Sequence, residues 1–163
     1  MTATVSGTLH AVAVDERPGL PGDVDGLVVS HQGLGFCAEL TASRAAFSAV
    51  RALTLSVSRT YGVDPELGES AELVVSELMG NVVRTSGVDE PVPLIVEVYA
   101  TPPGVAVIVH DAVREQPRRR DVALGSAEEV SGRGLVLLDL LTDVWTVEPS
   151  PLGKKIRCHL SPG

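Results

Sequence analysis

In the stretch AELVVSELMGNVVRTSG, Glu77 and Asn81 stand four residues apart, so on a helix both side chains leave one face, with Arg84 a turn further on. An oxygen of Asn81 is the hard ligand that Mg²⁺ accepts while phosphates and water fill its other positions. The Glu77 carboxylate beside it can orient or deprotonate an attacking hydroxyl or water. Glu and Asn at this spacing also occur on many solvated helix faces, so the pair gains meaning only from its surroundings. Those surroundings lie in the second half of the chain. Asp111 ends the run VAVIVHD, where a strand-end carboxylate can leave the sheet and accept a hydrogen bond from an exocyclic amine such as that of adenine. In isolation such an Asp is more often a turn former. In SGRGL, Gly132 and Gly134 precede an apolar helix, so the backbone can approach a phosphate and offer amide donors at the helix's positive end. The plain alternative is a flexible hinge.

Two common phosphate loops are excluded. A P-loop needs GxxxxGK[ST], and the only Gly-Lys, Gly153 with Lys154, lacks both the earlier glycine and the hydroxyl residue. The dinucleotide fingerprint needs GxGxxG directly after a strand, whereas GRGLVL follows the polar segment ALGSAEEVS and has no third glycine.

The elements that must position these residues follow from periodicity. GFCAEL reads as a short strand, and Thr41 or Ser43 can cap a helix from about Arg44 to Thr60, with Ala46, Val50, Leu53 and Val57 as its buried stripe. Tyr61 to Asp64 end it. Pro65 suits a first helical position with Asp64 as cap, and Ala71, Val74, Val75, Leu78 and Val82 form the core-facing stripe of a second helix that Gly87 stops. VPLIVEVYA and GVAVIVHDA, joined by TPPG, predict an antiparallel hairpin. Residues 112 to 131 have few apolar anchors and predict a mobile loop. A short helix over Gly134 to Leu141 follows, then strands over Thr142 to Glu148 and KKIRCHL, with Ile156, Cys158 and Leu160 alternating inward. Helices gathered on one face of a mixed, mostly antiparallel sheet make an α+β fold, a two-layer α/β sandwich. Residues 1–35, rich in Gly and Pro, read as a loosely ordered arm, and 36–163 as one domain.

Composition narrows the function. Aromatics make up 3% and the net charge is −8, both contrary to a nucleic-acid surface; the one dense basic run is Arg118, Arg119 and Arg120. Cys37 and Cys158 belong to no metal-ligand or disulfide pattern and read as buried thiols. Neither a signal peptide nor an apolar run of membrane-spanning length is evident, so a soluble, cytoplasmic protein without direct contact to nucleic acid or membrane is expected.

An ELxxN helix, a strand ending in Asp, a loop closing with GxGL and a Gly turn between the last two strands resemble, in that order, the histidine-kinase-like ATPase superfamily with its Bergerat ATP-binding fold. The short chain and SELMGNVVR are similar to its stand-alone anti-sigma-factor serine kinase branch, over roughly Phe36 to Leu160. The resemblance implies ATP and Mg²⁺ as cofactors, Glu77 as the catalytic carboxylate and Asn81 as the Mg²⁺ ligand. It further implies that Asp111 contacts adenine, and that Gly132, Arg133, Gly134, Leu135 and Gly153 border the nucleotide. Arg118 to Arg120, Arg133 and Lys154 either offset phosphate charge or are solvated lid charges. The implied reaction transfers the γ-phosphate of ATP to a serine of an antagonist protein, in a domain that also binds a sigma factor. Three departures stand out. AVREQ follows Asp111, so the glycines of the DxGxG box are missing; Thr85 replaces a frequent His; and Lys155 stands where a threonine or serine commonly supports the adenine pocket. A partner-sequestering protein without catalysis and a simple ATPase switch are the alternative readings. Oligomeric state, a homodimer included, stays open.

Overall fold

A computed structural model of the chain describes residues 24–86, 91–112 and 136–162. Six strands form one sheet: β1 (Leu27–Gln32), β2 (Gly35–Thr41), β3 (Pro93–Thr101), β4 (Gly104–Asp111), β5 (Val144–Pro149) and β6 (Lys154–Leu160). Their spatial order is β1-β2-β3-β4-β6-β5. Two long helices, α1 (Arg44–Thr60) and α2 (Pro65–Ser86), lie between β2 and β3 in sequence. Residues 136–141, the described part of the helix expected over Gly134 to Leu141, are helical and are called α3.

The helix bounds follow from their caps. Ser43, in extended conformation, accepts from the Ala46 amide at 3.0 Å and starts α1. Asp64 Oδ1 accepts from the Glu66 amide at 2.9 Å and starts α2, with Pro65 in the first turn, where its missing N–H has no partner to lose. Ala46, Val50, Leu53 and Val57 of α1 and Ala71, Val74, Val75, Leu78, Met79 and Val82 of α2 are buried at helical spacing. The helices approach closely where Gly68 meets Ser58: a Cβ on Gly68 would sit 2.9 Å from Ser58 Cβ. α1 packs on β2 and β3, and α2 packs on β4.

Alternation divides the strands between two faces. Phe36, Ala38 and Leu40 of β2, Leu94, Val96, Val98 and Ala100 of β3, Val105, Val107 and Val109 of β4, and Ile156, Cys158 and Leu160 of β6 point to the helices and form the core. Cys37, Glu97, Tyr99, His110, Lys155 and Arg157 point to the other face, which none of the described helices covers.

Two expectations are corrected. Leu27 to Gln32 fall within the expected arm, yet they form β1, paired antiparallel with β2 from Leu27 opposite Leu40 to Gln32 opposite Gly35. The hairpin turns through Gly33, whose φ of +52° favours glycine. The sheet, expected to be mixed, has only antiparallel neighbours among the described residues. β4 and β5 do run in the same direction, but β6 lies between them and opposes both. The long connection after β4 therefore makes no parallel pair. Gly87 and most of the expected loop, residues 113 to 131, lie outside the described residues.

Candidate functional site

α2 carries Glu77, Asn81 and Arg84 in its second half. At its start the Asp64 amide donates to the Pro103 carbonyl at 3.1 Å, in the turn that opens β4. Beyond its end the chain re-enters the structure beside β2, where the Ala42 amide donates to the Val92 carbonyl at 2.8 Å. α2 thus runs in the same sense as β4 while packing on it. Asn81 stands roughly 25 Å along the helix from Asp64 at the α-helical rise. Asp111 stands roughly 26 Å along the strand from Pro103 at the strand rise. Glu77, Asn81 and Arg84 and the strand-end Asp111 therefore share one end of the molecule.

Along α2, Glu77 and Arg84 form an ion pair at 3.7 Å with both side chains about one-third exposed, a contact that contributes little to stability on its own. Asn81 Oδ1 is buried and meets no hydrogen-bond donor among the described residues. An amide oxygen in that state costs on the order of 1–3 kcal/mol of desolvation. It is also the kind of atom a hard cation takes as a ligand, so the donor chemistry fits Mg²⁺.

Asp111 ends β4 opposite Leu94 on one side and Lys154 on the other. It continues the inward series Val105, Val107 and Val109, so its side chain lies on the helix-covered face, 2% exposed. Instead of leaving the sheet it is held by Lys154, whose Nζ is 2.8 Å from Oδ1. Gly153 presses against the same strand end: a Cβ there would lie 2.7 Å from the Asp111 carbonyl oxygen and 3.0 Å from Ala112 Cα. Only a residue without a side chain lets this turn approach so closely.

The parity of β6 changes which lysine matters. Lys155, the departure from the threonine or serine that commonly supports the adenine pocket, points to the uncovered face, opposite His110 in the ladder and 3.9 Å from Glu148. Lys154 is the residue beside Asp111, and the same pairing sets it against a carboxylate rather than leaving it a solvated charge. The inward series Ile156, Cys158 and Leu160, counted back by twos, reaches Lys154 and is the sequence signal for its orientation. Gly132, Arg133, Gly134, Leu135 and Arg118 to Arg120 lie outside the described residues. The helix after them is anchored by Leu138, fully buried, and by Trp145, whose Nε1 donates to Asp139 at 2.9 Å.

A polar chain on the uncovered face, which sequence reasoning missed, braces the β5–β6 turn. His110 Nε2 lies 2.6 Å from Glu97 Oε2 and its Nδ1 lies 2.9 Å from Ser150 Oγ. Ser150 Oγ accepts from the Leu152 amide at 3.2 Å, and Tyr99 donates its hydroxyl to Glu97 Oε1. The hydrogen bond from His110 is the main cause that holds the Glu97 carboxyl below its usual range. Burial, with the bond to Glu97 second, pushes the Tyr99 hydroxyl up. Burial first and the charge of Glu97 second push the Cys37 thiol up to about 12, and burial alone does the same for Cys158. Neither thiol is a nucleophile at neutral pH.

A cavity of about 340 Å³ sits on the uncovered face, lined by Val28, Glu39, Thr41, Pro93, Ile95 and Leu152 among others. It shares the strand ends with Asp111 but lies across the sheet from the Asp111 side chain. Among the described residues no cluster of three metal-ligating side chains occurs, and no helix is long and apolar enough to cross a membrane.

A family model described as the histidine kinase-like ATPase domain matches residues 40–159, from the end of β2 to the penultimate residue of β6. No curated protein matches the chain.

Proposed function

Because the chain belongs to the histidine kinase-like ATPase domain family, an ATP-binding regulatory fold, we propose that it is a protein serine/threonine kinase of the anti-sigma-factor type. Its substrate is a serine of an antagonist protein, and its output is the control of a sigma factor. The observation that carries the reading is the buried Asn81 Oδ1, without a hydrogen-bond partner among the described residues, at the same end of the molecule as Asp111.

In this reading Asp111 accepts from the adenine amine, and the Gly153 turn walls the base. Asn81 Oδ1 would hold Mg²⁺, which when bound would offset the negative charge of the phosphates. Glu77, one turn earlier on the same helix face, accepts the proton of the incoming serine hydroxyl. The serine oxygen bonds to the γ-phosphorus as the bond from that phosphorus to the β,γ-bridging oxygen breaks. ADP leaves with that electron pair, and the proton stays on Glu77. Arg84, 3.7 Å from Glu77, keeps the carboxylate turned to its own side of the helix. The resemblance assigns the phosphate side of the nucleotide to Gly132 to Leu135, which lie outside the described residues. The protein acts in the cytoplasm.

With Mg²⁺, γ-labelled ATP and an antagonist protein, the full chain is expected to yield a phosphoserine product. Glu77→Ala should slow the transfer by roughly 10²–10⁴-fold while ATP binding persists. Undiminished transfer by that variant removes the role of Glu77. Phosphate release that needs no protein acceptor identifies a simple ATPase. The missing DxGxG glycines after Asp111 favour one further reading, a partner-sequestering protein that does not turn over. Partner capture indifferent to ATP and to Asn81→Ala is its signature.

A further inference from the structure

An ion pair between strand ends closes the core beside the β5–β6 turn. Asp111 and Lys154 are ladder partners at the ends of β4 and β6, with side chains 3% and 12% exposed and Nζ 2.8 Å from Oδ1. Beneath them along the same face lie Val109, Ile156 and Leu94, all buried. An acceptor group and a cationic donor thus sit beside apolar side chains, a combination that small-ligand sites use. Taking two charges out of water costs several kcal/mol per ion, and apolar replacements of such pairs are often as stable, so stability alone is a poor reason for the pair. The Watson–Crick edge of adenine carries the complementary pattern: the 6-amino group donates, and N1 beside it accepts.

Resting on the ATP reading above, we infer that Lys154 is a specificity-determining residue, donating to adenine N1 while Asp111 accepts from the 6-amino group. An ammonium has three donors and serves more than one acceptor at once, so reading N1 does not require that Asp111 be released. The carboxylate in turn fixes the ammonium at the rim, where a lysine on the outward parity, such as Lys155, does not reach. Lys154 therefore assists binding of the base rather than blocking it.

Calorimetric titration of the full chain with Mg²⁺ and either ATP or 1-deaza-ATP, in which a C–H replaces N1, tests this. Wild type should bind 1-deaza-ATP about tenfold or more weakly than ATP, the loss expected for a hydrogen bond from a charged donor. Lys154→Met should bind ATP as weakly as wild type binds the deaza analogue, and should show no further loss on that analogue. Lys154→Arg should restore most of the discrimination, which a merely structural lysine would not do. Tighter ATP binding by Lys154→Met, or a wild type indifferent to N1, overturns the inference. Asp111→Asn separates the two levels. If ATP binds, depends on Asp111 and ignores N1, only the role of Lys154 fails. If wild type binds neither nucleotide, the ATP reading fails and this inference with it.

Discussion

Asn81 combines a poor choice for stability with a good one for binding. Its Oδ1 is removed from water without a donor to replace the lost hydration, while the rest of α2 buries apolar side chains on the same side. Leucine branches at the same carbon as asparagine and has no polar atom to desolvate, so Asn81→Leu should leave stability unchanged or raise it by about 1 kcal/mol. The same change should abolish the Mg²⁺-dependent part of ATP affinity. Urea denaturation and titrations with and without Mg²⁺ read the two effects separately. A stability loss of about 2 kcal/mol or more would show that the oxygen has a partner and is not held for a cation. Such opposed effects on stability and binding mark a residue retained for function.

At the scale of elements, the β5–β6 turn decides how the strand end is presented. It is braced from the uncovered face by Ser150 on His110, and Gly153 presses against the Asp111 carbonyl. Gly153→Ala places a methyl 2.7 Å from that oxygen, and backbone on both sides leaves nothing flexible to yield. The expected cost is about 1–3 kcal/mol, as for other overpacked sites, together with weaker nucleotide binding. Chemical denaturation and ATP titration check it, and an unchanged variant would mean that the turn is free to move. Gly153 was legible as a turn glycine, whereas its contact with Asp111 comes from the pairing of β4 with β6, which no local pattern encodes. α1 and α2 were legible to the residue because Ser43, Asp64 and Pro65 carry local capping chemistry and the apolar stripes repeat at helical spacing. β1 was hidden because Ser30, His31 and Gln32 interrupt its apolar alternation, and the pairing with β2 supplies what propensity does not. Lys154 and Lys155 differ only in strand parity, so the register that sets Lys154 on Asp111 had to come from tertiary structure. The polar chain from Tyr99 to Ser150 joins residues from three separate segments and leaves no motif in any of them.

Over the whole molecule, charge and layer arrangement together set the response to acid. The net charge is −8 at neutral pH and the isoelectric point is near 4.9, so mild acidification reduces self-repulsion rather than adding to it. Acid instability must then come from particular carboxylates whose folded environment favours the ionised form. Asp143, held down chiefly by Ser161, and Glu148, held down chiefly by Thr146, are exposed, and water screens what they contribute. Glu97 is half-buried on the uncovered sheet face, where His110 lowers its carboxyl first and Tyr99 adds to that. Between its folded and unfolded values the native state binds fewer protons than the unfolded chain, so stability rises with pH across that interval. This contribution is complete above the unfolded value, about 4.3, and is lost as pH falls through the lower folded value. Urea midpoints should therefore hold level from pH 7 to about 5 and fall below about pH 4.3. Glu97→Gln cannot ionise, so its midpoint should be lower at pH 7, by an amount worth about 1–2 kcal/mol, and should fall less steeply in acid. Parallel curves for wild type and Glu97→Gln below pH 4 would place the acid sensitivity elsewhere and show that the polar chain behind the β5–β6 turn holds without its carboxylate.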